Sequence, residues 1–335
     1  MPRVAVIGCG DVATVHFEAL AAVPGAELVA VCDTDPGRRA AAEQAHGVPG
    51  HSDYATMLET VRPDVVHVCT PHSQHADPAI TALQRGINVI CEKPLASTMD
   101  DGERLAAAAA ASTARIGICF QNRYNAAVQA MQGRLASGEF GAVLGGSATV
   151  MWHREAAYYA SRPWRGTWAG GGGGLLMNQA IHTLDLLQWM MGEVTEVSGH
   201  AATRALGGVI DVEDTAELAL THGNGMRSVF YATLANTANA PITVDIVAEK
   251  ATLHLRGDLT ITHGDGREEV VQERRADSGG RDYWGVSHQL YIADFYAQLG
   301  QEGPFWINPA EALKTLRIIK AVYAQSYPDK LAAIS

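Results

Sequence analysis

The apolar run Val4-Ala5-Val6-Ile7 ends in Gly8-Cys9-Gly10-Asp11-Val12-Ala13, and a helical pattern, Thr14 to Ala22, follows at once. A strand, a glycine turn and a helix N-terminus in that order aim backbone N–H groups and the positive end of the helix dipole at one point, a site for a pyrophosphate. A second apolar run, Glu27 to Cys32, ends in Asp33. It stands where such folds place the acidic residue, about 20 positions on, that bonds a ribose 2′-OH. Gly8, Cys9, Gly10, Asp11, Val12 and Asp33 are therefore the expected dinucleotide cradle. A glycine turn alone is a weak signal, because such turns are common; the strand before it, the helix after it and Asp33 make it specific.

The first third of the chain continues as strand and helix in alternation. Strands are expected at Val4–Gly8, Leu28–Cys32, Val65–Cys69, Asn88–Cys91 and Ile116–Phe120, all short and apolar on both faces. Helices are expected at Val15–Ala22, Pro36–His46, Ala76–Arg85 and Asp100–Ser112. This alternation implies a parallel sheet with right-handed crossovers. Such a sheet keeps its chemistry at the carboxyl ends of its strands, and Glu92-Lys93-Pro94 stands at one of them. A lone lysine is more often a solvated surface charge. After a buried strand, and before a proline that cannot continue a central strand, Lys93 is a functional candidate.

The pattern changes near Tyr124. A helix is expected at 126–137, a strand at Val143–Trp152, an aromatic and basic loop from Trp152 to Trp168, a glycine run at Gly170–Gly174 and one helix at Leu175–Met191. Strand pairs with hairpin punctuation follow: Glu217–Thr221 with Arg227–Thr233, then Thr252–Leu255, Leu259–Thr262 and Glu268–Gln272. Two helices, 287–299 and 309–326, close the chain. The fold class is α/β: a Rossmann dinucleotide-binding domain at 1–122, and an α+β domain on a mostly antiparallel open sheet at 123–335.

The helix after the glycine run is apolar around most of its circumference, yet Asn178, His182 and Asp185 recur at i, i+4 and i+7. A buried polar stripe needs partners. Either the three side chains bond to neighbouring backbone, or Asn178 and His182 face the reacting groups with Lys93. A metal reading of His182 and Asp185 lacks a third ligand at a matching spacing, so no metal is expected. Oxidation of a secondary alcohol by hydride transfer needs a base for the hydroxyl proton, and histidine titrates in the right range. A lysine ammonium can hold the hydroxyl oxygen, and an amide can orient a neighbouring hydroxyl.

Four ordered motifs carry a resemblance over nearly the whole chain: Val6-Ile7-Gly8-Cys9-Gly10, Cys69-Thr70-Pro71-His72-Ser73-Gln74-His75, Cys91-Glu92-Lys93-Pro94-Leu95 and the stretch Gly172 to Leu186. In these the chain resembles the glucose–fructose oxidoreductase / inositol dehydrogenase / rhizopine-catabolism (Gfo/Idh/MocA) family of NAD(P)-dependent oxidoreductases. The resemblance implies that Lys93 is the catalytic lysine and His182 the acid/base. It implies a cis peptide before Pro94. It implies cofactor contacts from Thr70, Pro71, His72, His75, Glu92, Gln121 and a Trp164-Arg165 loop, and substrate contacts from Lys93, Arg123, Tyr158, Asn178 and His182. Three departures stand out, one of them His72, which stands where an asparagine is commoner. Asn178 replaces the commoner aspartate, as in the branch acting on sugars and nucleotide sugars. The five-glycine run replaces a more acidic approach and implies a more mobile loop. The aromatic loop fits either a carbohydrate site, where flat rings stack on sugar C–H faces, or interface packing.

The chain of 335 residues carries a net charge of −11, which argues against nucleic acid and anionic membranes as partners. Met1-Pro2-Arg3 runs straight into the first strand, and the five cysteines read as buried hydrophobes, so no secretory leader and a cytoplasmic location are expected. The activity expected is NAD-dependent oxidation of a secondary hydroxyl of a sugar, sugar derivative or cyclitol. The alternatives are an NADP-dependent keto-sugar reductase helped by Arg38 and Arg39, a non-catalytic dinucleotide sensor, and a redox-assisted glycoside hydrolase. An open antiparallel sheet wants covering, so a homodimer or homotetramer is expected.

Overall fold

The computed structural model describes residues 1–274 and 285–332. They form two units, one of residues 1–121 with 285–313, the other of 122–274 with 314–332.

In the first unit six strands lie side by side: β1 (Arg3–Ile7), β2 (Glu27–Cys32), β3 (Gly50–His51), β4 (Val65–Val68), β5 (Asn88–Cys91) and β6 (Ile116–Ile118). Their order is β3-β2-β1-β4-β5-β6, and every pairing is parallel. Helices Ala13–Ala22, Pro36–His46, Tyr54–Val61, Ala76–Gln84 and Met99–Ala111 connect them. Sheathing of both faces is why Val4, Ala5, Val6, Val65, Val66, Val89 and Ile90 have no exposed surface. The strand order reverses between β1 and β4, the place where ligands enter such sheets.

The first unit also takes back residues 285–313, which the sequence pattern assigned with everything after 122 to the second domain. Gly117 in β6 gives the physical reason. A Cβ there would lie 2.4 Å from the Tyr291 hydroxyl and 2.9 Å from Phe305, so the glycine admits a buried aromatic group against the strand. Ile118 N donates to Ile307 O at 2.8 Å, and helix Gly285–Ala297 packs on helix Ala13–Ala22.

The second unit holds eight strands: β7 (Val143–Met151), β8 (Val194–Ala202), β9 (Thr215–His222), β10 (Arg227–Thr233), β11 (Thr243–Ala248), β12 (Ala251–Arg256), β13 (Asp258–His263) and β14 (Glu268–Val271). The order is β14-β13-β12-β11-β7-β10-β9-β8. Only β7 and β10 run parallel; the other pairs are antiparallel. Helices Ala126–Ala136 and Ile181–Met191 cover one face, burying Ala148, Val150, Phe230, Ala232, Val244, Ile246 and Leu253. The helix expected at Leu175–Met191 is in fact two, Leu175–Asn178 and Ile181–Met191. Gln179 N and Ala180 N both donate to Leu175 O, at 3.0 and 2.9 Å, and the second bond, five residues back, widens the turn.

Candidate active site

The glycine turn follows β1. Gly8 holds φ +90°, and a Cβ on it would meet Cys69 O at 2.6 Å, so only glycine fits where this turn crosses the end of β4. At Gly10 a Cβ would meet no atom of the chain within 4 Å. Helix Ala13–Ala22 starts without a side-chain cap at Val12. Uncapped N–H groups over an open glycine are what a pyrophosphate requires. Asp33, at the end of β2, accepts from Cys9 N at 2.8 Å and from Asp35 N at 2.8 Å. Its carboxylate is thereby fixed beside the turn, with lone pairs left for further donors. Burial, then the Asp33 charge, pushes the Cys9 thiol up to about 12. The residues present fit a dinucleotide.

Lys93 follows β5, and the Lys93-Pro94 peptide is cis. His75 ties this turn to the loop after β4: Nδ1 lies 2.7 Å from Pro94 O and Nε2 2.9 Å from Thr70 O. Burial lowers the His75 pKa, against two carbonyl contacts that favour the imidazolium. Thr70 Oγ1 donates to Gln74 O at 2.9 Å and closes the turn that carries Pro71 and His72. Buried Gln121 ends this strand edge, and its Oε1 has no hydrogen-bond partner among the described residues.

Beneath Lys93 lies a cluster that sequence reading missed. Glu92 Oε1 sits 3.0 Å from His16 Nε2 and 3.2 Å from His288 Nε2, and Glu92 Oε2 accepts from Lys93 N at 3.2 Å. His16 Nδ1 faces His67 Nδ1 at 2.8 Å, and His67 Nε2 faces the Tyr296 hydroxyl at 3.0 Å. Burial pushes the Glu92 carboxyl up, but hydrogen bonds from His16 and His288 outweigh it and hold it well below the usual range. Among the described residues, His16, Glu92 and His288 are also the one group of metal-ligating type, their donor atoms within 4.8 Å of one another.

In the second unit Asn178 and His182 are half-buried, on either side of the widened turn, in a stretch otherwise almost wholly buried. The Tyr158 hydroxyl accepts from Asn178 Nδ2 at 3.2 Å and from Gln179 Nε2 at 3.1 Å. The guanidinium of Arg165 lies 4.7 Å over the Tyr158 ring and 5.6 Å over Trp164, and that of Arg154 lies 5.2 Å over Tyr158 and 5.3 Å over Trp152. Cations stacked on rings hold this loop as a polar-edged aromatic wall.

Three expectations are corrected here. Arg123 does not present its head to a substrate: its Nε and Nη2 donate to the two Asp185 oxygens at 2.7 Å each, with exposure of only 1%. The guanidinium also lies 4.9 Å over Trp189. Asp185 accordingly leaves the proposed Asn178–His182 face, accepting also from Thr315 Oγ1 at 3.1 Å. The glycine run is a packing device. A Cβ on Gly174 would meet Glu213 O at 2.1 Å and one on Gly173 the Tyr323 hydroxyl at 2.2 Å, and Lys320 Nζ donates to Gly172 O at 2.7 Å.

A Rossmann sheet with a fitting pyrophosphate turn, joined to an open-sheet unit, defines a dinucleotide-dependent oxidoreductase. Residues 2–120 match the oxidoreductase family with NAD-binding Rossmann fold, and residues 128–254 match the GFO/IDH/MocA C-terminal domain. The chain belongs to this Gfo/Idh/MocA family. It is 32% identical to a D-apiose dehydrogenase of Paraburkholderia graminis over 95% of this chain and 86% of that one. It is 30% identical to inositol 2-dehydrogenase 2 of Saccharopolyspora erythraea over 67% of this chain and 64% of that one. Among solved structures, the WlbA dehydrogenase of Bordetella pertussis in complex with NADH and UDP-GlcNAcA matches with a TM-score of 0.83 and 31% identity, covering 98% of this chain and 97% of that one.

Proposed function

We propose that this chain oxidises a secondary hydroxyl of a sugar, sugar derivative or cyclitol with NAD. The observation that carries the reading is Lys93, held on a clamped turn at the carboxyl end of β5, on the same sheet edge as the glycine turn after β1. NAD, when bound, would supply the acceptor for a hydride from the carbinol carbon. The turn Gly8–Val12 would hold the pyrophosphate, Asp33 would take the ribose hydroxyls, and Thr70, Pro71, His72, His75 and Gln121 would line the rest, while the Glu92 carboxylate turns inward to His16 and His288. Lys93 holds the hydroxyl oxygen and favours alkoxide character. His182 accepts the hydroxyl proton, Asn178 orients the substrate, and Tyr158, bonded to Asn178, lines the substrate's place. The sugar and cyclitol dehydrogenases among the relatives support this substrate class.

Asp33 supports NAD over NADP, because a carboxylate repels a 2′-phosphate. Arg39 Nη1 donates to Asp33 O at 2.8 Å, which commits it to the end of β2. The test compares kcat/KM for NAD and NADP over inositols, pentoses, hexoses and nucleotide sugars. NAD should lead by more than about tenfold, which corresponds to ~1.4 kcal/mol, and Asp33→Ala should narrow the gap. A lead for NADP, or no turnover of any panel member, contradicts the reading.

In the second sheet the exposed Val229, Tyr231 and Val247 alternate with buried neighbours along β10 and β11, and Leu144 is exposed on β7. Exposed apolar side chains on neighbouring strands support a homodimer or homotetramer. No described helix is long and apolar enough to cross a membrane. A cytoplasmic location and small-molecule partners complete the proposal.

A further inference from the structure

The buried cluster under Lys93 has a placement of protons that satisfies each of its hydrogen bonds. Glu92 is an ionised carboxylate and can only accept, so His16 Nε2, 3.0 Å away, carries a proton. Burial lowers the pKa of His16, against the Glu92 contact, which favours the neutral ring with a bare Nδ1. The facing His67 Nδ1, at 2.8 Å, must then donate. Burial holds His67 neutral as well, so its Nε2 accepts the Tyr296 proton. His288 adds a second donor to Glu92 Oε1. Every proton in the chain Tyr296 → His67 → His16 → Glu92 points the same way, inward to a carboxylate whose other oxygen holds Lys93 N.

We propose that His16, His67, His288 and Tyr296 are positioning residues that fix the Glu92 carboxylate and, through it, the backbone of Lys93. The elements supplying them are far apart in sequence: helix Ala13–Ala22, β4 and helix Gly285–Ala297. This explains why the late segment returns to the first unit with two polar side chains, His288 and Tyr296, among buried apolar ones. A buried carboxylate bonded on both oxygens has one orientation, so the peptide it grips has one position. The inference rests on the reading of Lys93 as the catalytic lysine.

The direct test is histidine-selective 15N NMR of the whole protein. His16 and His288 should appear protonated at Nε2, and His67 as the neutral Nδ1–H tautomer. Tyr296→Phe should move the His67 Nε2 resonance and leave His288 unchanged. In kinetics, His288→Leu should lower kcat by about tenfold or more, with KM for NAD changed less than about twofold, and His288→Gln, whose amide can still donate, should recover most of the loss. A His16 imidazolium, a reversed His67 tautomer, or equal losses in the Leu and Gln variants would overturn the proposal. So would uptake of one equivalent of Zn2+ that His288→Leu abolishes, since the cluster would then be a metal centre. Lys93→Ala separates the two claims: full turnover there sinks the catalytic reading itself, whereas lost turnover with an inert His288→Leu sinks the positioning claim alone.

Discussion

Single residues differ here in how deeply they are buried. Arg123 and Asp185 are strong polar candidates by type, yet they bond each other bidentately at 1% exposure each. Breaking such a pair strands a buried charge. Asp185→Ala should therefore destabilise the fold by roughly 3–5 kcal/mol, read as a lower denaturant midpoint. At a temperature where the variant is folded, KM for substrate should stay near wild type; a selective rise in KM with an unchanged midpoint would return Arg123 to the substrate. On Ile181–Met191, His182 is one of two half-buried side chains, the other being Trp189. Periodicity could find the polar stripe of Asn178, His182 and Asp185. It could not sort the stripe, because the partner that removes Asp185 lies 62 residues away.

At the scale of elements, the buried parallel strands were legible because being apolar on both faces leaves few alternatives, and Pro36–His46 because Asp35 and Pro36 mark its start. β3 and helix Tyr54–Val61 were not, since two residues of strand have no period to read. β8 was hidden by its alternation of half-buried and exposed positions, and β11 by lying between loop-like segments without hairpin signals. The widened turn at Gln179-Ala180 arises from one carbonyl taking two donors, which no pattern announces. The two glycine elements should separate cleanly under mutation. Gly174→Ala forces a Cβ to 2.1 Å from backbone and should cost several kcal/mol of stability, seen as a lower Tm or lost expression. Gly10→Ala meets no atom of the chain within 4 Å, so Tm without ligand should hold while NAD affinity falls about tenfold or more by calorimetry. Equal Tm losses in both would mean that Gly10 serves packing.

For the whole molecule, the exposed apolar side chains Leu144, Val229, Tyr231 and Val247 lead to an assembly prediction. Sedimentation should give a dimer or tetramer, and Val229→Asp paired with Tyr231→Glu should shift it to monomer without unfolding it; a wild-type monomer contradicts the proposal. The central claim is narrower: Lys93 holds the hydroxyl oxygen and His182 takes its proton. The most direct measurement is the pH profile of kcat/KM for alcohol oxidation in wild type, Lys93→Ala and His182→Ala. An imidazole must be unprotonated to accept, so the wild-type rate should rise with pH through a limb that reports loss of its proton. In His182→Ala that limb should vanish and turnover fall by roughly two to four decades, while Lys93→Ala should keep the limb and lose about a hundredfold in kcat. A limb that persists unchanged in His182→Ala, or turnover retained in Lys93→Ala, would contradict the account.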